Sequence, residues 1–209
     1  MFVPAFIGIA MVVRRTLVLA GVIGSRNPPG MAKGSPAFDT EFGTHSLLTL
    51  IHILPGALFM ILGPLQFMPG IRARHLHLHR LGGRIYIASG YIIGISALIM
   101  SFVLSPIGGI DQAAATILFS LLFLLSLSKA WWHIAHHEIA LHREWMIRAF
   151  SIGLAIGTIR PIVVLFFAFS GLPPQVFFGT AFWLGFTLHV LAAEVWINYT
   201  RVSFSFSQE

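Results

Sequence analysis

Three histidines and four arginines fall within the fifteen residues RARHLHLHRLGGRIY, Arg72 to Tyr86, of a chain with only 10% charged residues. A second group, His133, His136, His137 and His142, follows about sixty residues later. Imidazoles ligate metals and carry protons near neutral pH. His75 and His79 are four apart, as are His133 and His137, and helical neighbours at that spacing share a face. Two such pairs in adjacent segments could close a metal site, and His75, His133 and His137 are the candidate ligands. The plainer alternative is a set of interfacial side chains facing headgroups and water. Four further polar residues, His52, Arg160, His189 and Glu194, stand inside long apolar blocks, where an ionisable group needs a cavity, a partner or a cofactor.

The elements that must position these residues follow from composition. Of 209 residues 56% are hydrophobic, and mean hydropathy is +0.85. Soluble domains carry about 25% charged residues. The apolar residues run in blocks of roughly 20, the length a helix needs to cross a hydrocarbon core about 30 Å thick. A backbone in lipid must satisfy its own hydrogen bonds, and these blocks are too long and too uniform for barrel strands. The expected fold is all-α, a polytopic transmembrane bundle of about six helices with a four-helix core.

The spans are expected near residues 4–24, 45–68, 83–104, 111–132, 145–169 and 175–199. Residues 1–44 form an N-terminal transmembrane or anchor segment with a polar connector, residues 45–200 the bundle, and residues 201–209 a short tail. Arg14 and Arg15 interrupt the first span, and each charge at a helix centre costs about 2.5–3.5 kcal/mol on the insertion scale. That segment spans, anchors, or is cleaved as a signal peptide. Arg72, Arg74, Arg80, Arg84, Arg143, Arg148 and Arg201, with Lys129, collect at one set of connectors. The opposite connectors hold Arg26 and Lys33 beside Asp39, Glu41 and Asp111. The positive-inside rule puts the basic connectors and the C-terminus in the cytoplasm. The expected location is a bacterial inner (cytoplasmic) membrane, with anionic lipid headgroups as partners and no role for nucleic acid in the net charge of +6.

Depth can be read from the helical rise of 1.5 Å per residue. It puts His52 about 10 Å below the outer surface and Arg160 at a similar depth, so the two could face each other. An alternative for Arg160 is that it bonds backbone carbonyls released by Pro161. His189 falls near the midplane. Glu194 falls nearer the basic end, where Arg84 or Arg148 could pair with it.

His79-Arg80-Leu81-Gly82-Gly83-Arg84-Ile85-Tyr86 gives the pattern H-R-x-x-G-R-x-Y. His142-Arg143-Glu144-Trp145-Met146-Ile147-Arg148 gives H-R-x-W-M-x-R. With His52 in IHILPGALFMILGPLQFMP, the chain from about residue 45 to 170 resembles a bacterial family of predicted multi-helix membrane proteins of unknown function. That resemblance implies a four-helix core with flanking helices, and a layout distantly similar to cytochrome b-type haem bundles. On that similarity His79 and His142 are candidate axial ligands of one haem b, with Arg80, Arg84, Arg143 and Arg148 around its propionates.

The chain has no cysteine, which excludes disulfides, thiolate metal sites and iron–sulfur ligation. No nucleophile–base pair, P-loop or H-E-x-x-H motif is present. Three readings stand. One is an electron-transfer membrane cytochrome, and another a proton- or ion-coupled transporter using His52, Arg160, His189 and Glu194. The third is a membrane subunit or scaffold without chemistry of its own, in a homo-oligomer or beside a partner subunit.

Overall fold

The computed structural model describes residues 2–24 and 40–205. Arg26, Lys33 and Asp39 of the polar connector lie outside the described residues, as does the end of the tail. Among the described residues eight helices follow in order: α1 (Phe2–Leu19), α2 (Thr40–Thr44), α3 (Ser46–Gln66), α4 (Pro69–Arg74), α5 (Leu76–Val103), α6 (Gly109–Ala135), α7 (Ile139–Phe169) and α8 (Pro174–Ser205). Six of them are long and apolar enough to cross a membrane. The helices are longer than the apolar blocks because α5 and α7 begin inside the basic segments, so most of RARHLHLHRLGGRIY is helical.

The outward faces show what surrounds the bundle. On α3 the side chains of Leu47, Ile51, Leu54, Leu58, Ile61 and Leu65 are all exposed. Their spacing of four and three traces one stripe along the helix. In water such a stripe would be an aggregation site; in lipid it is the ordinary surface.

Inside, α3, α5, α6 and α7 pack in sequence, with α8 against α6 and α7, and α1 against α3 and α7. The centre is aromatic: Phe59 stacks on Tyr86 with ring centroids 4.2 Å apart, and Phe67 on Phe150 at 5.0 Å. Glycines admit these rings. A Cβ on Gly153 would lie 2.3 Å from Phe59, and one on Gly63 would lie 2.2 Å from Phe150. Each helix thus inserts a phenyl into a gap left by a glycine on the other. Small residues at helix contacts let backbones approach closely when no hydrophobic force separates helix from lipid. α1 joins by the same device, since a Cβ on Gly157 would meet the Pro4 carbonyl oxygen at 2.2 Å.

Candidate functional site

At the basic end, the side chain that organises the first motif comes from α3. The Gln66 amide donates to the His79 carbonyl at 3.0 Å and to His79 Nδ1 at 2.9 Å, and its oxygen accepts from the Gly83 N–H at 3.3 Å. The orientation is assigned from the network, because a carbonyl only accepts and so must face the NH2. A Cβ on Gly82 would lie 2.6 Å from the Gln66 amide. The two glycines of the motif are therefore the groove through which Gln66 reaches α5. An Nδ1 that accepts a hydrogen bond leaves the neutral ring's proton on Nε2.

His142 is set the other way. Its Nδ1 donates to the Ala130 carbonyl at 2.8 Å, which leaves the lone pair on Nε2. His142 lies within electrostatic reach of His79. The arginines of the second motif turn toward α8. Arg148 makes a two-pronged pair with Glu194, Nε to Oε1 at 2.6 Å and Nη2 to Oε2 at 3.0 Å. Arg143 donates to Thr200 at 3.2 Å, and Arg201 grips the buried carboxylate of Glu144. Arg80 and Arg84 are exposed.

Haem ligation needs a ring lone pair from each histidine, the other ring nitrogen donating to a neighbour. His142 has that arrangement; His79 has the reverse, its outward nitrogen carrying the proton. With Arg143 and Arg148 engaged by α8, the propionate cradle is not assembled either. In this arrangement the described side chains give the haem reading for His79 and His142 no support.

The remaining histidines of this end are also placed. α6 ends at Ala135 and His137 has a positive φ of 63°. The helix therefore stops before His133 and His137 can share a face, and His133 Nδ1 bonds the Glu138 carboxylate instead. His75 occupies the N-cap position of α5 without a side-chain capping bond and is exposed. Among the described residues no group of three or more His, Asp or Glu side chains gathers as a metal site.

Toward the other end the helices part around a chamber of about 580 Å³. Among the described residues seven helices contribute to its lining, α1 to α3 and α5 to α8. His52 and Arg160 both stand in its wall, with Arg15 from α1, and Phe59, Phe123 and Phe182 form apolar surface. His52 Nδ1 lies 2.9 Å from Ser96 Oγ. Ser96 spends its own proton on the Ile92 carbonyl at 2.6 Å, so it accepts from Nδ1–H. The neutral His52 ring therefore keeps its lone pair on Nε2. Arg15 is buried, its guanidinium 4.0 Å from the centroid of the Phe42 ring, a contact that stabilises a desolvated cation. Among the described residues no Asp or Glu lines the chamber.

His189 and Glu194 are not in this wall. His189 Nε2 lies 2.7 Å from Thr158 Oγ1, and its carbonyl accepts from Ser151 at 2.6 Å. Gln66, Ser96 and Arg15 were not singled out as site residues by sequence reasoning. Their only signals were polarity inside an apolar block and, for Gln66, its place just before the Pro69-Gly70 break.

Six apolar helices with lipid-suited outer faces define a multi-span α-helical membrane protein. The chain belongs to the family described as predicted membrane protein (DUF2306), whose model matches residues 49–197. That match takes in His52, Gln66, both His-Arg motifs, Arg160 and Glu194; Arg15 and Arg201 fall outside it. No curated protein and no solved structure matches the chain.

Proposed function

We propose that this protein binds a small lipid-soluble molecule inside the bilayer, in the chamber lined by α1 to α3 and α5 to α8. The observation that carries this reading is the chamber itself, about 580 Å³ with His52 and Arg160 in one apolar wall. Ligand pockets commonly run from about 300 to 1,000 Å³, apolar with a few polar groups that fix orientation. Two features weigh against the other readings. His189 and Glu194 do not line the chamber that holds His52 and Arg160, and bond Thr158 and Arg148 instead. Electron transfer through a haem on His79 and His142 needs His79 to give up the Gln66 bond. A scaffold role gives no reason for the chamber.

The same proposal places the protein in a bacterial inner membrane with its basic ends in the cytoplasm, on the positive-inside rule. The chamber then opens within the outer half of the bilayer.

The test is thermal unfolding of delipidated protein with and without added membrane lipid extract. A ligand at 100 times its Kd stabilises by about 2.7 kcal/mol. The expected result is a rise of several degrees in wild type and a smaller one in Ala97→Phe, which narrows the chamber. Equal shifts in both proteins would contradict the reading.

A further inference from the structure

We propose that the outer face of α5 at its basic end is a binding site for an anionic phospholipid, with the phosphate at Arg80 and Arg84 and the acyl chains along the apolar stripe that continues from them.

The H-R-x-x-G-R-x-Y motif divides between two faces of α5. His79, Gly82, Gly83 and Tyr86 recur at helical spacing, and that face is packed. Gln66 lies against the first three, and Tyr86 is fully buried with its ring on Phe59. Packing therefore explains half of the motif. Arg80 and Arg84 are the other half, exposed and one turn apart. Residues at that spacing have Cβ atoms about 5–6 Å apart, and the guanidinium fork matches the oxygens of a phosphate.

The protein supplies no counter-charge to this pair. Among the described residues neither Arg80 nor Arg84 has a hydrogen bond or an ion pair. The carboxylates described at this end are engaged elsewhere: Glu138 by His133, Glu144 by Arg201 and Glu194 by Arg148. The second motif differs, since its Arg143 and Arg148 are held by α8. Arg72 of α4 is also exposed and comes within electrostatic reach of His79, as Arg80 does. Like charges at this helical spacing repel, so an anion beside them is stabilising.

The continuation of the face says which anion. Leu81, Ile85, Ile92, Ile95, Ile99 and Phe102 are exposed, as is Ala88 between them, and together they trace one stripe. From Leu81 to Phe102 the helix rises about 32 Å, close to the thickness of a hydrocarbon core. The arginines stand at the head of that stripe, three residues from Leu81 and four from Ala88. A phospholipid lays its chains on such a stripe and its phosphate at the end of it. A zwitterionic headgroup brings a trimethylammonium beside the guanidiniums, and phosphatidylglycerol does not. Neither arginine lines the chamber, so this site stands or falls separately from it.

A lipid on an exposed face exchanges with the bilayer, so occupancy is read in the membrane. Full-length protein with Leu81→Cys carries a bimane fluorophore in phosphatidylcholine vesicles. Nitroxide-labelled phosphatidylglycerol or phosphatidylcholine is added, and quenching gives their relative affinity beside Leu81. An arginine near an anionic lipid is worth about fivefold in binding, so a preference for phosphatidylglycerol of that size or larger is expected. Arg80→Gln with Arg84→Gln should bring the ratio close to one, whereas Arg74→Gln, an equal change of charge per site at the same end, should leave it unaltered. Bimane at Phe102→Cys, at the far end of the stripe, should show no preference; this comparison needs no arginine variant. Equal quenching by both lipids at Leu81, or a preference that survives loss of both arginines, would overturn the site. So would an equal loss in Arg74→Gln, which would make the preference a property of the general basic charge.

Discussion

Gln66 decides the environment of His79. Its amide meets the His79 carbonyl, the His79 ring and the Gly83 N–H at once. Gln66→Leu removes the partner of the His79 ring, while the His79 carbonyl and Gly83 N–H keep their bond within α5, so the loss is about 0.5–1.5 kcal/mol. A measurably lower melting temperature in detergent is the expected result, and an unchanged one would mean the amide is not engaged. The neighbouring glycines give a graded test. A Cβ on Gly82 would lie 2.6 Å from the Gln66 amide, but one on Gly83 would lie 3.4 Å from it. Gly82→Ala should therefore lower the melting temperature clearly, and Gly83→Ala less; the reverse order would contradict the groove. The His-Arg motifs were visible in the sequence, but their partners were not. Gln66 is far from His79 in the chain, and Ser96 far from His52, so neither pairing leaves a spacing to read.

At the scale of elements, the six apolar blocks were legible because bilayer thickness sets their length and lipid leaves no other fold to a backbone. The helix starts were less so. Composition marks the basic segments as interfacial, yet α5 and α7 continue through them, since histidine, arginine and leucine sustain a helix beyond the hydrocarbon. The end of α6 was hidden as well: His133 and His137 have helical spacing, and a left-handed turn at His137 breaks it. How α3 meets α7 depends on volume rather than polarity. Gly153→Ala puts a methyl 2.3 Å from Phe59, and overpacking of this sort costs about 1–3 kcal/mol or more. Adding Phe59→Leu should recover part of the loss, so a double-mutant cycle on thermal unfolding should show coupling. Additive effects would place the ring elsewhere. The ion pairs between α7 and α8 differ in depth: the side chain of Glu144 is 8% exposed and that of Glu194 is 41%. Glu144→Gln should destabilise more than Glu194→Gln, read as melting temperature, because solvent screens the second pair.

For the whole molecule, sidedness and the chamber are joined claims. The chain has no cysteine, so single-cysteine variants report topology without background. His77→Cys should resist a membrane-impermeant maleimide in intact spheroplasts, and Ser105→Cys should react; the opposite pattern would invert the proposed orientation. The chamber was only half legible. His52 and Arg160 stand out as ionisable residues in apolar blocks at matching depth, but a cavity is a property of several helices together and leaves no local pattern. Arg15 reads as a flaw in the first span until the structure buries it under Phe42 at the chamber wall. The most direct measurement is native mass spectrometry of the protein released from mild detergent. The account predicts one adduct of discrete mass per chain in wild type, diminished in Ala97→Phe. A bare chain in both, or the same adduct in both, would contradict it.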